Sequence, residues 1–148
     1  MTAVPSSAPG RIVVGHDGSP SSFDALSWAA HQAALTGSAL EIVMTWEWPS
    51  SYGWAVPIPD DFNPESDMKQ SLDAAVARLS AEHPGLQLGA RLVSGHPAPV
   101  LVEASKGAEL LVVGSRGHGE FVGMLIGSVS EHCAANAHSP VLVHRGDG

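Results

Sequence analysis

The chain has 148 residues, 44% hydrophobic and 15% charged, which suits one folded domain of ordinary size and excludes a disordered tail protein. A formal net charge of −8 with only seven Lys and Arg residues excludes general binding to nucleic acid, because phosphate neutralisation needs clustered cations. The single cysteine, Cys133, excludes an intrachain disulfide, and no run approaches the length of a transmembrane helix.

Residues 1–10 are rich in Ser, Pro and Ala, with no basic start and no apolar run, and read as a flexible leader rather than a signal peptide. Soluble and cytoplasmic is the resulting expectation, with no membrane partner. Arg11 to Gly15 is a β-branched strand that stops at His16-Asp17-Gly18-Ser19-Pro20. Ser19 before Pro20 suits a helix start, and Phe23, Leu26, Ala30, Ala33 and Ala34 carry helical spacing to about Leu35, where Gly37 provides a stop. A second strand runs from Leu40 to Trp46. The proline-rich segment 47–63 follows, and its Trp48, Tyr52, Trp54 and Phe62 suggest a lid or a dimer contact. Pro64 opens a second helix through about His83, with Met68, Leu72, Val76 and Leu79 on one face.

Leu86, Leu88, Ala90 and Leu92 alternate like an edge strand with one solvated face. Pro97 or Pro99 starts a short helix through Ser105. A fourth strand spans Glu109 to Gly114, a helix ends near Asn136, and Val141 to His144 is the last strand. Strict alternation of strands and helices argues for a doubly wound α/β fold, a parallel five-stranded sheet with helices on both faces, over residues 11–145. Residues 146–148 are a tail. The first, second, fourth and fifth strands are nearly continuous apolar runs, as strands covered on both faces should be.

In such sheets ligands sit beyond the carboxyl ends of the strands, at the switch in strand order. Gly15-His16-Asp17 closes the first strand, and Gly114-Ser115-Arg116-Gly117-His118-Gly119 closes the fourth. Further on, Gly127-Ser128-Val129-Ser130 can open the last helix. Glycines there admit a phosphate close to the backbone, and helix-start N–H groups supply donors and positive potential. This suits an acidic chain, which must hold an anion mainly by backbone. Ser128 and Ser130 add hydroxyls, and Arg116 and His118 are the nearby candidates for positive charge. The P-loop pattern with its lysine is absent, and Gly114, Gly117 and Gly119 have G-x-x-G-x-G spacing rather than the dinucleotide fingerprint.

Gly114, two residues, Gly117, nine residues, then Gly127-Ser128 resembles the motif of the ATP-binding universal stress proteins. Val14-Gly15-His16-Asp17-Gly18-Ser19 is similar to the opening strand and acidic turn of that family, and Ser139-Pro140-Val141-Leu142-Val143 to its closing strand. The resemblance implies a Rossmann-like sheet of order 3-2-1-4-5 and a homodimer paired through strand 140–144. It implies Asp17 at the adenosine end, Trp46 near adenine, and Gly114 and Gly117 along ribose and α-phosphate. Gly127, Ser128 and Val129 then hold the outer phosphates, with Mg2+ bridging phosphate oxygens rather than protein side chains. Gly15, Arg116, Gly119 and Ser130 complete the expected ATP site, where AMP or cAMP are further ligands to test.

Plainer roles stand beside these. Asp17 suits a turn, the glycines suit turns, Arg116 suits a solvated loop, and Trp46 suits a core edge. Cys133, in mid-helix, suits core packing, and the eight histidines show no zinc spacing with cysteine partners. No dedicated general base stands out, so the expected function is a nucleotide-dependent stress or regulatory protein with at most slow ATP hydrolysis. The alternatives are a nucleotide α-hydrolase or transferase enzyme, and a dimeric interaction module that binds no nucleotide.

Overall fold

The computed structural model describes residues 10–18, 20–46, 64–115 and 128–145. The expectations for the leader, Ser19, the aromatic segment 47–63 and the tail lie outside the described residues. Along the chain come β1 (Arg11–His16), α1 (Pro20–Thr36), β2 (Ala39–Trp46), α2 (Pro64–Glu82) and β3 (Leu88–Ser94). They are followed by α3 (Pro97–Ala104), β4 (Leu110–Gly114), α4 (Ser128–Asn136) and β5 (Val141–His144). The strands pair in parallel in the order β3-β2-β1-β4-β5, as the family resemblance implies.

Alternation along each strand divides the core into two layers. Ile12, Val14, Leu40, Ile42, Met44 and Val112 face α1 and α2, which cover them with Leu26, Ala29, Ala30, Leu72 and Leu79. Val13, Val43, Leu111 and Val113 face the other way, against Leu101 and Ala104 of α3 and Cys133 of α4. A fully buried Leu, Ile or Val contributes about 1.5–3 kcal/mol. The exposed Lys69–Asp73 and Arg78–Glu82 pairs contribute about 0–1 kcal/mol each, so packing rather than surface charge holds the helices on the sheet. Burial also pushes the Cys133 thiol up to about 11, which leaves it protonated and unreactive at neutral pH.

Arg11 ties β1 to its neighbours. Its Nη1 donates to Glu41 Oε1 at 2.6 Å, and its Nη2 donates to the carbonyls of Ala104 at 3.2 Å and Lys106 at 2.8 Å. The guanidinium thus receives the carbonyl end of α3, where the helix dipole is negative. Gly37, which ends α1, has φ +74, the left-handed geometry that a helix stop requires.

Three local expectations need correction. Ala34 is exposed, because the buried stripe of α1 runs through Ala25, Leu26, Ala29, Ala30 and Ala33. β3 begins at Leu88 rather than Leu86 and extends to Ser94, which pairs with Trp46. Leu86 lies in the preceding turn, its N–H bonded to the His83 carbonyl at 3.0 Å, yet it still packs on the core. Finally, β5 is half-buried at every residue, because the sheet order leaves it at an edge rather than between covered neighbours.

Candidate functional site

The strand order turns back between β1 and β4. From β1 the chain crosses by α1 to β2, and from β4 it crosses by α4 to β5, on the opposite face and in the opposite direction. The connections diverge at the carboxyl ends of two adjacent strands, which opens a crevice there. Gly15, Asp17, Gly114, Ser128, Val129 and Ser130 all lie at this end of the sheet. Arg116, Gly117, Gly119 and Gly127, with His118, lie outside the described residues.

On the β1 side, His16 is the last strand residue and is 6% exposed. Its Nδ1 lies 2.9 Å from the hydroxyl of Ser22, and the same hydroxyl accepts the Asp17 N–H at 3.2 Å. Asp17 is half-buried, and Gly18 turns the chain toward α1 with φ +87, a conformation that side chains with a Cβ rarely adopt. The imidazole meets Phe23 edge-on, with ring centroids 6.2 Å apart. A cavity of about 320 Å³ opens beside it, lined by Gly18, Phe23, Ser71 and Arg78, the last with its guanidinium 4.5 Å from the Phe23 ring centroid.

Burial lowers the His16 pKa from its ordinary 6.5, against the weaker upward pull of the Asp17 carboxylate and of the Ser22 hydrogen bond. The folded protein therefore disfavours the imidazolium that the unfolded chain accepts. This contribution is complete above the unfolded value and is lost as pH falls through the lower, folded value. Acid unfolding midpoints of wild type and His16→Phe test this. Phenylalanine keeps a ring beside Phe23, and its stability falls less steeply than that of wild type below about pH 6.5.

On the β4 side, Gly114 ends the strand and its carbonyl accepts a hydrogen bond from the Ser130 hydroxyl. Ser115 N–H continues the ladder to the His144 carbonyl at 2.8 Å. The first turn of α4 is thereby fastened to the end of β4. Ser130 is 2% exposed and its hydroxyl makes this anchor; Ser128, at the helix start, is exposed. Gly15 also has a structural reason: a Cβ there would come within 2.8 Å of Leu101 Cδ1. Trp46 is half-buried at the end of β2, and its carbonyl accepts the Gly95 N–H at 2.8 Å.

Sequence reasoning missed Ser22. The serine at 22 is five residues beyond Asp17, close enough for a turn-capping hydroxyl, but several serines there compete for that role. Among the described residues no three His, Cys, Asp or Glu side chains gather to hold a metal, and no helix is long and apolar enough to cross a membrane.

A parallel sheet of this order, wound on both faces with its crevice between β1 and β4, defines a Rossmann-like α/β protein. The model of the universal stress protein family matches residues 9–145, and the chain belongs to that family. A universal stress protein of Mycolicibacterium smegmatis is 36% identical over 135 residues, covering 90% of this chain and 45% of the relative. Universal stress protein Rv2623 of Mycobacterium tuberculosis is 35% identical over 147 residues, covering 95% of this chain and 46% of the relative. The chain thus spans about half the length of these relatives. Among solved structures, a universal stress protein in complex with cAMP is 30% identical with a TM-score of 0.72, covering 95% of this chain and 99% of that one.

Proposed function

We propose that this protein is an ATP-binding universal stress protein that takes adenine nucleotide at the carboxyl ends of β1 and β4. The observation that carries this reading is the first turn of α4, anchored through Ser130 to the Gly114 carbonyl, beside β1 and the Asp17 turn that follows it. Helix-start N–H groups fixed at a strand switch suit an anion without requiring clustered cations. The similar structure that holds cAMP supports an adenine ligand.

In this reading Asp17 meets the adenosine end, Trp46 borders adenine, and Gly114 and Gly117 flank ribose and α-phosphate. Gly127, Ser128 and Val129 hold the outer phosphates, with Arg116 and Gly119 in the stretch of sequence before them. The donor set fits a triphosphate better than a metal: hydroxyls and N–H groups hold phosphate oxygens, and Mg2+ would join through those oxygens and water, neutralising charge between phosphates. The bound state favours one conformation or assembly for partners to read, in the cytoplasm. A homodimer through β5 belongs to the same reading, since Val141, Leu142 and Val143 are half-buried on an open strand edge. Displacement of a fluorescent ATP analogue tests it. ATP, AMP and cAMP should each compete, and failure of all three would leave the interaction-module alternative.

A further inference from the structure

The chain leaves β1 at His16, the last residue of the β1–β2 ladder, and enters α1 at Pro20. Asp17 and Gly18 make the turn, so the position of the Asp17 carboxylate depends on what holds this short backbone. The Asp17 N–H is directed at Ser22 Oγ, five residues ahead in the first turns of α1. Ser22 is 4% exposed and touches His16 Nδ1. The imidazole packs in turn against Phe23 in a T-shaped arrangement. Ile12 and Val14, which share the face of His16 on β1, are apolar and fully buried. An apolar residue would pack at position 16 without the cost of burying an imidazole. The ring instead supplies a nitrogen to a hydroxyl that is already bound to the Asp17 backbone.

We propose that Ser22 and His16 are positioning residues for Asp17: the buried pair locks the β1–α1 turn to the helix and sets where the Asp17 carboxylate stands. That the carboxylate serves adenine nucleotide rests on the function proposed above; the lock itself does not. Neither residue touches the ligand in this proposal, so a loss of affinity on changing them passes through Asp17.

Two readouts separate the lock from a general loss of fold. The first is hydrogen exchange of the Asp17 amide in the ligand-free protein. Ser22→Ala raises its rate roughly tenfold, and Ser22→Thr, which keeps the hydroxyl, restores protection. The second is affinity for the fluorescent ATP analogue, which Ser22→Ala weakens roughly five- to tenfold, the scale of one lost hydrogen bond. Added to Asp17→Asn, Ser22→Ala should cost little more, because both changes act through one group. His16→Phe, which keeps the ring packing, serves if the serine variants fold poorly. It should raise Asp17 exchange by a smaller factor than Ser22→Ala. Unchanged Asp17 exchange in both Ser22→Ala and His16→Phe, or full additivity with Asp17→Asn, overturns the proposal. Faster exchange in Ser22→Ala together with no binding by wild type upholds the lock and removes the nucleotide reading.

Discussion

Gly15→Val is expected to lower the unfolding free energy by about 1–3 kcal/mol, the range for forcing extra carbons into a packed core. For a chain of this length that corresponds to a fall in Tm of roughly 3–10 °C. A Cβ at position 15 would already stand 2.8 Å from Leu101 Cδ1 and 3.2 Å from Leu101 Cδ2. Those atoms end a flexible side chain, so a single methyl group can be absorbed by rotation. The two further methyl groups of valine must also fit beneath α3, whose Leu101 is 4% exposed. Gly15→Ala should therefore cost clearly less than Gly15→Val. The comparison also separates two roles for this glycine. If it is needed for packing, nucleotide affinity per folded molecule survives while Tm falls. If it is needed for close approach of ligand, affinity falls in both variants with Tm nearly unchanged in Gly15→Ala.

Ser130→Ala is expected to cost about 1–3 kcal/mol, because it removes a buried hydroxyl from the Gly114 carbonyl and leaves that acceptor without this bond. The larger consequence is positional. Ser130 joins the first turn of α4 to the end of β4 across 16 residues of chain, so its loss frees the helix start that the proposed site uses for phosphate. Affinity for ATP should fall more than affinity for AMP, since the outer phosphates depend on that turn. Thermal unfolding and parallel titrations with the two nucleotides measure both effects. Equal loss for ATP and AMP would mean that the anchor does not serve the phosphate end.

Much of the fold could be read from the chain itself. The apolar runs at β1, β2 and β4, the glycine stop after α1 and the prolines opening α2 and α3 each reflect a local rule that the folded structure obeys. The start of β3 was less readable, for a physical reason. Alternation reports which side chains are covered, and Leu86 is covered from the turn before strand pairing begins. Ala34 shows a related ambiguity, because alanine fits the buried and exposed faces of a helix equally well. The strand order came from family resemblance, since β-α alternation is compatible with several windings.

The candidate site was readable as a set of strand ends, not as a set of contacts. Glycine spacing marked Gly114 as a strand end, and the acidic turn marked Asp17. What each serine does could not be read, because Ser22 and Ser130 act through bonds to His16 and Gly114 that form only when the layers pack. Gly15 likewise looked like part of a phosphate loop, while the space a Cβ would need there is taken by Leu101 of α3, more than eighty residues away.

The most direct measurement is calorimetric titration of Mg-ATP, AMP and cAMP into wild type and Gly117→Val, with circular dichroism to confirm the fold of both. Saturable binding by wild type that is lost in folded Gly117→Val is the predicted result. Well-folded wild type that binds none of the three would contradict the account and leave a protein that works through its surfaces alone.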